Sequence, residues 1–219
     1  KGGRSSTGAR STQSHTGSLA GNDAVCRAAL RQAGIEEAVG FEDLMDALVA
    51  FSSPLLPMGG RVGILVETGG GAVAGSDACE AVGLEVPELP AEVQQALRDY
   101  LKDYLPPFAG IGNPVDVVWA PAGPAAEIHR RCIELMAPWV DAFLVMCYAP
   151  ENDQEFVQGL TRARDLTKKP IFVVPPYAIV ERGRARLATQ NGLPAFDSME
   201  RAAQALARLV RRGQTPGVG

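Results

Sequence analysis

From residue 61 onward, short apolar runs alternate with stretches of helical period, and few architectures accept that alternation. Arg61–Val66 is apolar after its first residue and ends at Glu67-Thr68-Gly69-Gly70-Gly71, a glycine turn opening the helical stretch 72–82, which stops at Gly83. Further runs occur at Leu84–Val86, Val115–Val118, Val140–Tyr148, Pro170–Val174 and Leu193–Phe196. Helical spacing covers 91–104, 124–136, 154–167, 179–190 and 198–211, the last opened by the capping-box-like Asp197-Ser198-Met199-Glu200. Runs without polar alternation suit strands covered on both faces. The expected fold class is α/β, an open, doubly wound parallel sheet of the flavodoxin-like kind over 61–215.

Residues 1–52 read differently. A helix is expected over 22–34, with Asn22 or Asp23 as N-cap and Gly34 just past its end. A second helix repeats Phe41, Leu44, Leu48 and Phe51 at helical spacing, with Glu42 and Asp43 in its first turn. With too few strands to bury a core, 1–52 reads as the C-terminal part of another such domain. Residues 53–60, Ser-Pro-Leu-Leu-Pro-Met-Gly-Gly, form the linker.

The 219 residues are 46% hydrophobic and 21% charged with net charge −4, which suits a globular protein and, without a basic block, argues against nucleic acid as a partner. No apolar run approaches the ~20 residues that span a bilayer, and no signal peptide is visible, so no membrane association and a cytoplasmic location are expected. Cys26, Cys79, Cys132 and Cys147 lie far apart without CxxC or partnering histidine spacing, and read as small apolar residues rather than metal ligands.

Two stretches carry candidate chemistry. Ser14-His15-Thr16-Gly17-Ser18-Leu19-Ala20-Gly21 reads as a small-residue loop around one of two histidines. Its hydroxyls and amides suit a phosphate carrier, and an imidazole nitrogen can act as a nucleophile. The second is the Gly69-Gly70-Gly71 turn, whose amides open onto a helix N-terminus. A plain βα turn reads equally well there. Dinucleotide binding fits less well, because Gly69-x-Gly71-x-x-x-Gly75 is not the G-x-G-x-x-G spacing, and no P-loop exists. His129, within Glu127-Ile128-His129-Arg130-Arg131, is expected on the solvated side of its helix. Ser14 beside His15 is not triad geometry, and no G-x-S-x-G elbow appears.

Lys1-Gly2-Gly3-Arg4-Ser5, Gly8-Ala9-Arg10, Ser14-His15-Thr16-Gly17 with Leu19-Ala20-Gly21, and Gln32-Ala33-Gly34 follow in the order that resembles the phosphohistidine segment of the NDP-forming acyl-CoA synthetases, the ADP-forming acetyl-CoA synthetase group related to succinyl-CoA synthetase. Asn113-Pro114-Val115-Asp116 is similar to that family's N-P-V-D segment. The resemblance implies that His15 relays phosphate between acyl phosphate and ADP, and that Thr16, Gly17, Gly69, Gly70 and Gly71 bind the phosphate. Asn113 and Asp116 would support the phosphate or the domain interface. It implies CoA, ATP or ADP, phosphate and Mg2+ as cofactors and a small carboxylic acid as substrate. As partners it implies a CoA-binding domain and an ATP-grasp domain or subunit, in an oligomeric assembly. The family's histidine-orienting glutamate is not found, and a chain starting inside the motif reads as a fragment. The alternative is a non-catalytic, acyl-CoA-sensing regulatory or scaffolding module of a synthetase-like fusion protein.

Overall fold

The computed structural model describes residues 2–16, 22–107, 109–118, 124–147, 152–175 and 182–214. They divide into two units, Lys1–Phe41 and Glu42–Gly219.

The first unit holds α1 (Ser6–Thr16) and α2 (Asp23–Gln32). The expected loop around His15 is therefore helical through Thr16. Ser5 starts α1 by accepting the Gly8 N–H at 3.1 Å. The hydroxyls that should have favoured a loop bond back along the helix instead: Ser11 to the Thr7 carbonyl (3.1 Å), Thr12 to Gly8 (2.9 Å) and Ser14 to Ser11 (2.9 Å). Asn22 caps α2, accepting from the Ala24 and Val25 amides, and Gly34 follows the helix at φ 64°. Arg4 donates to Glu37 at 2.5 Å and to the Ala38 carbonyl at 3.3 Å. No described residue of this unit is buried, as expected of a stretch without strands.

The second unit takes up almost all of α3 (Phe41–Phe51), followed by β1 (Val62–Val66), α4 (Gly69–Ala81), α5 (Ala91–Leu101), β2 (Val115–Asp116), α6 (Ala125–Met136), β3 (Ala142–Met146), α7 (Asp153–Thr167), β4 (Ile171–Val174), α8 (Arg182–Gln190) and α9 (Met199–Gln214). The strands form one parallel sheet in the order β2-β1-β3-β4, the expected doubly wound α/β arrangement. The runs Leu84–Val86 and Leu193–Phe196 are shorter as strands than expected, contributing single parallel bridges, Arg61 to Glu85 and Val173 to Ala195. Tyr148 and residues 179–181, at the ends of an expected strand and helix, lie outside the described residues.

Alternate strand residues feed two apolar layers. Val62, Ile64, Val66, Leu144, Met146, Phe172 and Val174 pack with α4 and α9, while Leu65, Phe143, Val145, Ile171 and Val173 pack with α5, α6 and α7. Because both sides are covered, β1, β3 and β4 read as unbroken apolar runs, while β2, at the end of the strand order, closes on Asp116. Gly63 pairs with Phe143, and a Cβ on Gly63 would lie 2.7 Å from that ring and 3.2 Å from Met136.

The helix expected over 41–51 is present as α3, and its large apolar repeat is not its packed face. Phe41, Leu44, Leu48 and Phe51 are exposed, Phe41 at 78%, while Ala47 and Ala50 are buried. On the buried side Arg208 pairs with Asp43 (2.7 Å) and Arg201 with Asp46 (2.6 Å). Small residues and ion pairs to α9, rather than large apolar side chains, determine which face turns inward.

At the amino edge of the sheet, Asp141 accepts from the Arg61 amide (3.2 Å), Nε (3.0 Å) and Nη2 (2.9 Å). Burial pushes the Asp141 carboxyl up, but the hydrogen bonds and charge of Arg61 outweigh it and hold the group below its usual range. A depressed carboxyl stabilises the fold above its unfolded value, about 3.9, and loses that contribution as pH falls through the lower folded value. Thermal melts of Asp141→Asn should therefore show a lower midpoint than the parent at pH 7. The difference should shrink below about pH 4, where the parent also loses the charge.

Candidate functional site

His15 sits in the last turn of α1 and is exposed. A helix C-terminus carries partial negative charge, so α1 itself offers no electrostatic support for a phosphoryl group on that ring. The Thr16 side chain and Gly17 lie outside the described residues.

Gly69, Gly70 and Gly71 form the first turn of α4, not a turn preceding it, and Thr68 is the N-cap. The three glycines differ. Thr68 Oγ1 accepts the Gly71 amide at 3.1 Å. Gly71 is buried, and a Cβ there would meet Met146 Sδ at 2.9 Å. Gly69 and Gly70 are exposed, with open space where a Gly70 Cβ would stand. Two backbone amides at the positive end of a 13-residue helix thus remain available to an anion, while the third glycine serves packing and the cap.

Asp116 borders the same helix end, its Oδ2 lying 3.9 Å from the Cβ position of Gly69. Its Oδ1 accepts the Val118 amide at 2.9 Å and stabilises Val118 at φ 39°, a left-handed conformation that a β-branched residue rarely adopts. Asn113, which precedes a cis peptide bond to Pro114, lies beside β1. Its Oδ1 accepts the Ile64 amide (2.9 Å), and its Nδ2 donates to the Val62 (2.9 Å) and Pro87 (3.0 Å) carbonyls. Asn113 thereby aligns the strand that leads to the α4 glycines. Asp116 shapes the neighbouring strand end.

His129 is not solvated. It is fully buried on α6, which packs against both the sheet and α7, so that its buried stripe widens to include Ile128, His129, Cys132, Ile133 and Met136. Burial lowers the imidazole pKa, against the opposing pull of the Glu67 charge and the Ala125 carbonyl. Cys79 and Cys132 are buried, and burial raises both thiols to about 12, in line with inert apolar packing. Cys147 instead donates to Glu67 Oε1 at 3.0 Å.

Residues 1–51 match the Succinyl-CoA ligase like flavodoxin domain and residues 62–151 the Ligase-CoA domain. Both matches are to domains of the CoA-ligase class. The chain belongs to the NDP-forming acyl-CoA synthetase family, within the succinyl-CoA synthetase superfamily. It is 31% identical to the ADP-forming acetate–CoA ligase II subunit alpha of Pyrococcus furiosus, covering 100% of this chain and 48% of that protein. It is 38% identical to the ADP-forming acetate–CoA ligase II of Archaeoglobus fulgidus, over 96% of this chain and 31% of the relative. The dinucleotide-forming acetyl-coenzyme A synthetase 1 of Ca. Korarchaeum cryptofilum, solved in complex with phosphate and ADP, superimposes with a TM-score of 0.75 at 28% identity, over 95% of this chain and 45% of that one. The chain thus spans about half the length of the alpha subunit and about a third of the longer ligase.

Proposed function

We propose that the chain is the alpha-type region of an ADP-forming acyl-CoA synthetase and that His15 is its phosphoryl carrier. The observation that carries this reading is an exposed His15 inside the segment that matches the succinyl-CoA ligase flavodoxin domain. An imidazole nitrogen attacks the phosphorus of the acyl phosphate derived from acyl-CoA and phosphate, and the carboxylate leaves. The same nitrogen then gives the phosphoryl group to ADP, so that one difficult transfer becomes two easier ones. The open amides of Gly69 and Gly70 suit a phosphoryl group, and Thr68 fixes the helix end that presents them. Gly71 supports that end through packing, and Thr16 and Gly17 adjoin the carrier as further phosphate contacts. Asn113 and Asp116 support the α4 helix end through the strands on which they act.

CoA, nucleotide and Mg2+ belong mainly to a CoA-binding domain and an ATP-grasp domain or subunit that act with this region in the cytoplasm, as an oligomeric assembly on a small carboxylic acid. Among the described residues the one group of three potential metal ligands, Glu67, His129 and Cys147, does not suit Mg2+, which prefers oxygen. The domain boundaries that fit this reading are 1–52, 53–60 and 61–215.

The test is to incubate the intact protein with Mg-ATP and locate acid-labile, base-stable phosphate by mass spectrometry at alkaline pH. Phosphate on His15 is expected. Its absence, with ATP shown to bind, would retire the relay and leave the acyl-CoA-sensing regulatory module in its place.

A further inference from the structure

Glu67 directly follows β1 and Cys147 directly follows β3, neighbouring parallel strands whose register pairs Leu65 with Val145. Strand alternation turns both side chains toward the layer beneath α6, from which His129 enters. The three residues are buried, and one ligating atom from each lies within 4.8 Å of the others. The cluster occupies the carboxyl end of the sheet where the chain winds off in opposite directions, the position at which open α/β sheets hold ligands.

We propose that Glu67, His129 and Cys147 form a binding site for a divalent cation of the Zn2+ class, distinct from the phosphoryl-transfer residues. Four observations favour this over a simple buried polar knot.

First, the donors are one carboxylate oxygen, one imidazole nitrogen and one sulfur, the mixture that suits borderline-soft Zn2+ and not Mg2+ or Ca2+. Second, His129 is arranged as a ligand. Its Nδ1 lies 2.8 Å from the Ala125 carbonyl, an acceptor, so the ring carries its proton on Nδ1 and leaves the Nε2 lone pair unused. That Nε2 is buried and has no hydrogen-bond partner. Donation by the second ring nitrogen to a backbone carbonyl is the usual support of a metal-bound histidine. The ring is further fixed by Phe156, edge-on at 5.0 Å.

Third, the spacing is close to closure. Bond lengths of about 2.0–2.3 Å in a tetrahedral site separate ligand atoms by about 3.3–3.7 Å. Cys147 Sγ and Glu67 Oε1 are already 3.0 Å apart, and no separation exceeds that range by more than about an ångström. Fourth, the charges balance. On binding, the Cys147 thiol loses its proton to solvent and a sulfur–metal bond forms. Thiolate, carboxylate and neutral imidazole then sum to zero with a 2+ ion, which is what a buried site requires. Arg184 adds no net charge, because it pairs with Asp153 at 2.5 Å while donating to the Cys147 carbonyl at 3.1 Å.

The test strips the intact protein with chelator, reloads it with Zn2+ or Co2+ and dialyses it. One retained equivalent is expected, with Mg2+ failing to displace it. The Co2+ form should show an intense near-ultraviolet thiolate charge-transfer band. Cys147→Ser should abolish the band, and His129→Gln should weaken Zn2+ binding by more than the ~10–100-fold that loss of an outer partner costs. Failure to retain stoichiometric Zn2+, bound Co2+ without the thiolate band, or retention unchanged in both variants would overturn the proposal. The wild-type Co2+ spectrum decides the matter even where a variant fails to fold, and Glu67→Gln, which keeps the side-chain shape, provides a further binding comparison.

Discussion

His15→Ala in the complete enzyme should reduce label exchange between ADP and ATP by at least about 10⁴-fold, the order of loss that follows removal of a covalent nucleophile. Exchange reports only the half-reaction that needs the phosphorylated ring. On the proposed relay the other half, conversion of acyl-CoA and phosphate to acyl phosphate and CoA, precedes the arrival of the phosphoryl group at His15 and should survive. A substitution that merely damaged the fold would diminish both. His15 is exposed and no described residue of its unit is buried, so alanine removes no core packing. Retained exchange in His15→Ala would dismiss the relay outright.

The second large effect is on stability. Gly63→Val places a branched side chain where even a Cβ would approach Phe143 to 2.7 Å and Met136 to 3.2 Å, at a position paired directly with Phe143. Phe143 and Met136 are both fully buried and cannot move into solvent. Overpacking costs ~1–3 kcal/mol, and two fully buried neighbours place Gly63→Val at the upper end, about 3 kcal/mol. Denaturant unfolding should show the midpoint falling with little change in slope. Gly70→Ala provides the contrast, since a Cβ there meets nothing within 4 Å, and it should leave stability equal to the parent's or raise it by up to ~1 kcal/mol. Equal effects at the two glycines would contradict the packing described here.

The sheet was legible because β1, β3 and β4 are uninterrupted apolar runs, and burial on both faces leaves that trace. The shortness of the strand ends at Glu85 and Ala195 was not legible, since β propensity does not specify how many ladder bonds a partner supplies. Period gave the helix α3 but not its packed face: Phe41, Leu44 and Leu48 lie on one helical stripe, but Asp43 and Asp46 find arginines on α9, and those partners are over 150 residues away. The helical His15 segment was hidden by serines and threonines that suggest a loop until their hydroxyls are seen bonded to preceding carbonyls. Among the site candidates, the motif picked out three glycines alike, yet only the first two present open amides. Glu67, His129 and Cys147 could not be found from spacing, because they come from two strand ends and a helix, with 80 positions separating the outer pair.

The side-chain amide of Asn113 has a consequence for how the protein avoids unwanted association. β2 pairs with β1 only at Leu65 and Val66, so the first half of β1 would otherwise present a row of unpaired peptide groups, the usual invitation to a foreign strand. Glu85 occupies the beginning of that row, exchanging bonds with Val62 and Gly60, and Asn113 fills the gap before Val115 by bonding Ile64 and Val62. Asn carries both an acceptor and two donors on a short stem, so one side chain stands in for a missing strand residue. The first half of β1 is thereby closed to a foreign strand without a full-length neighbour.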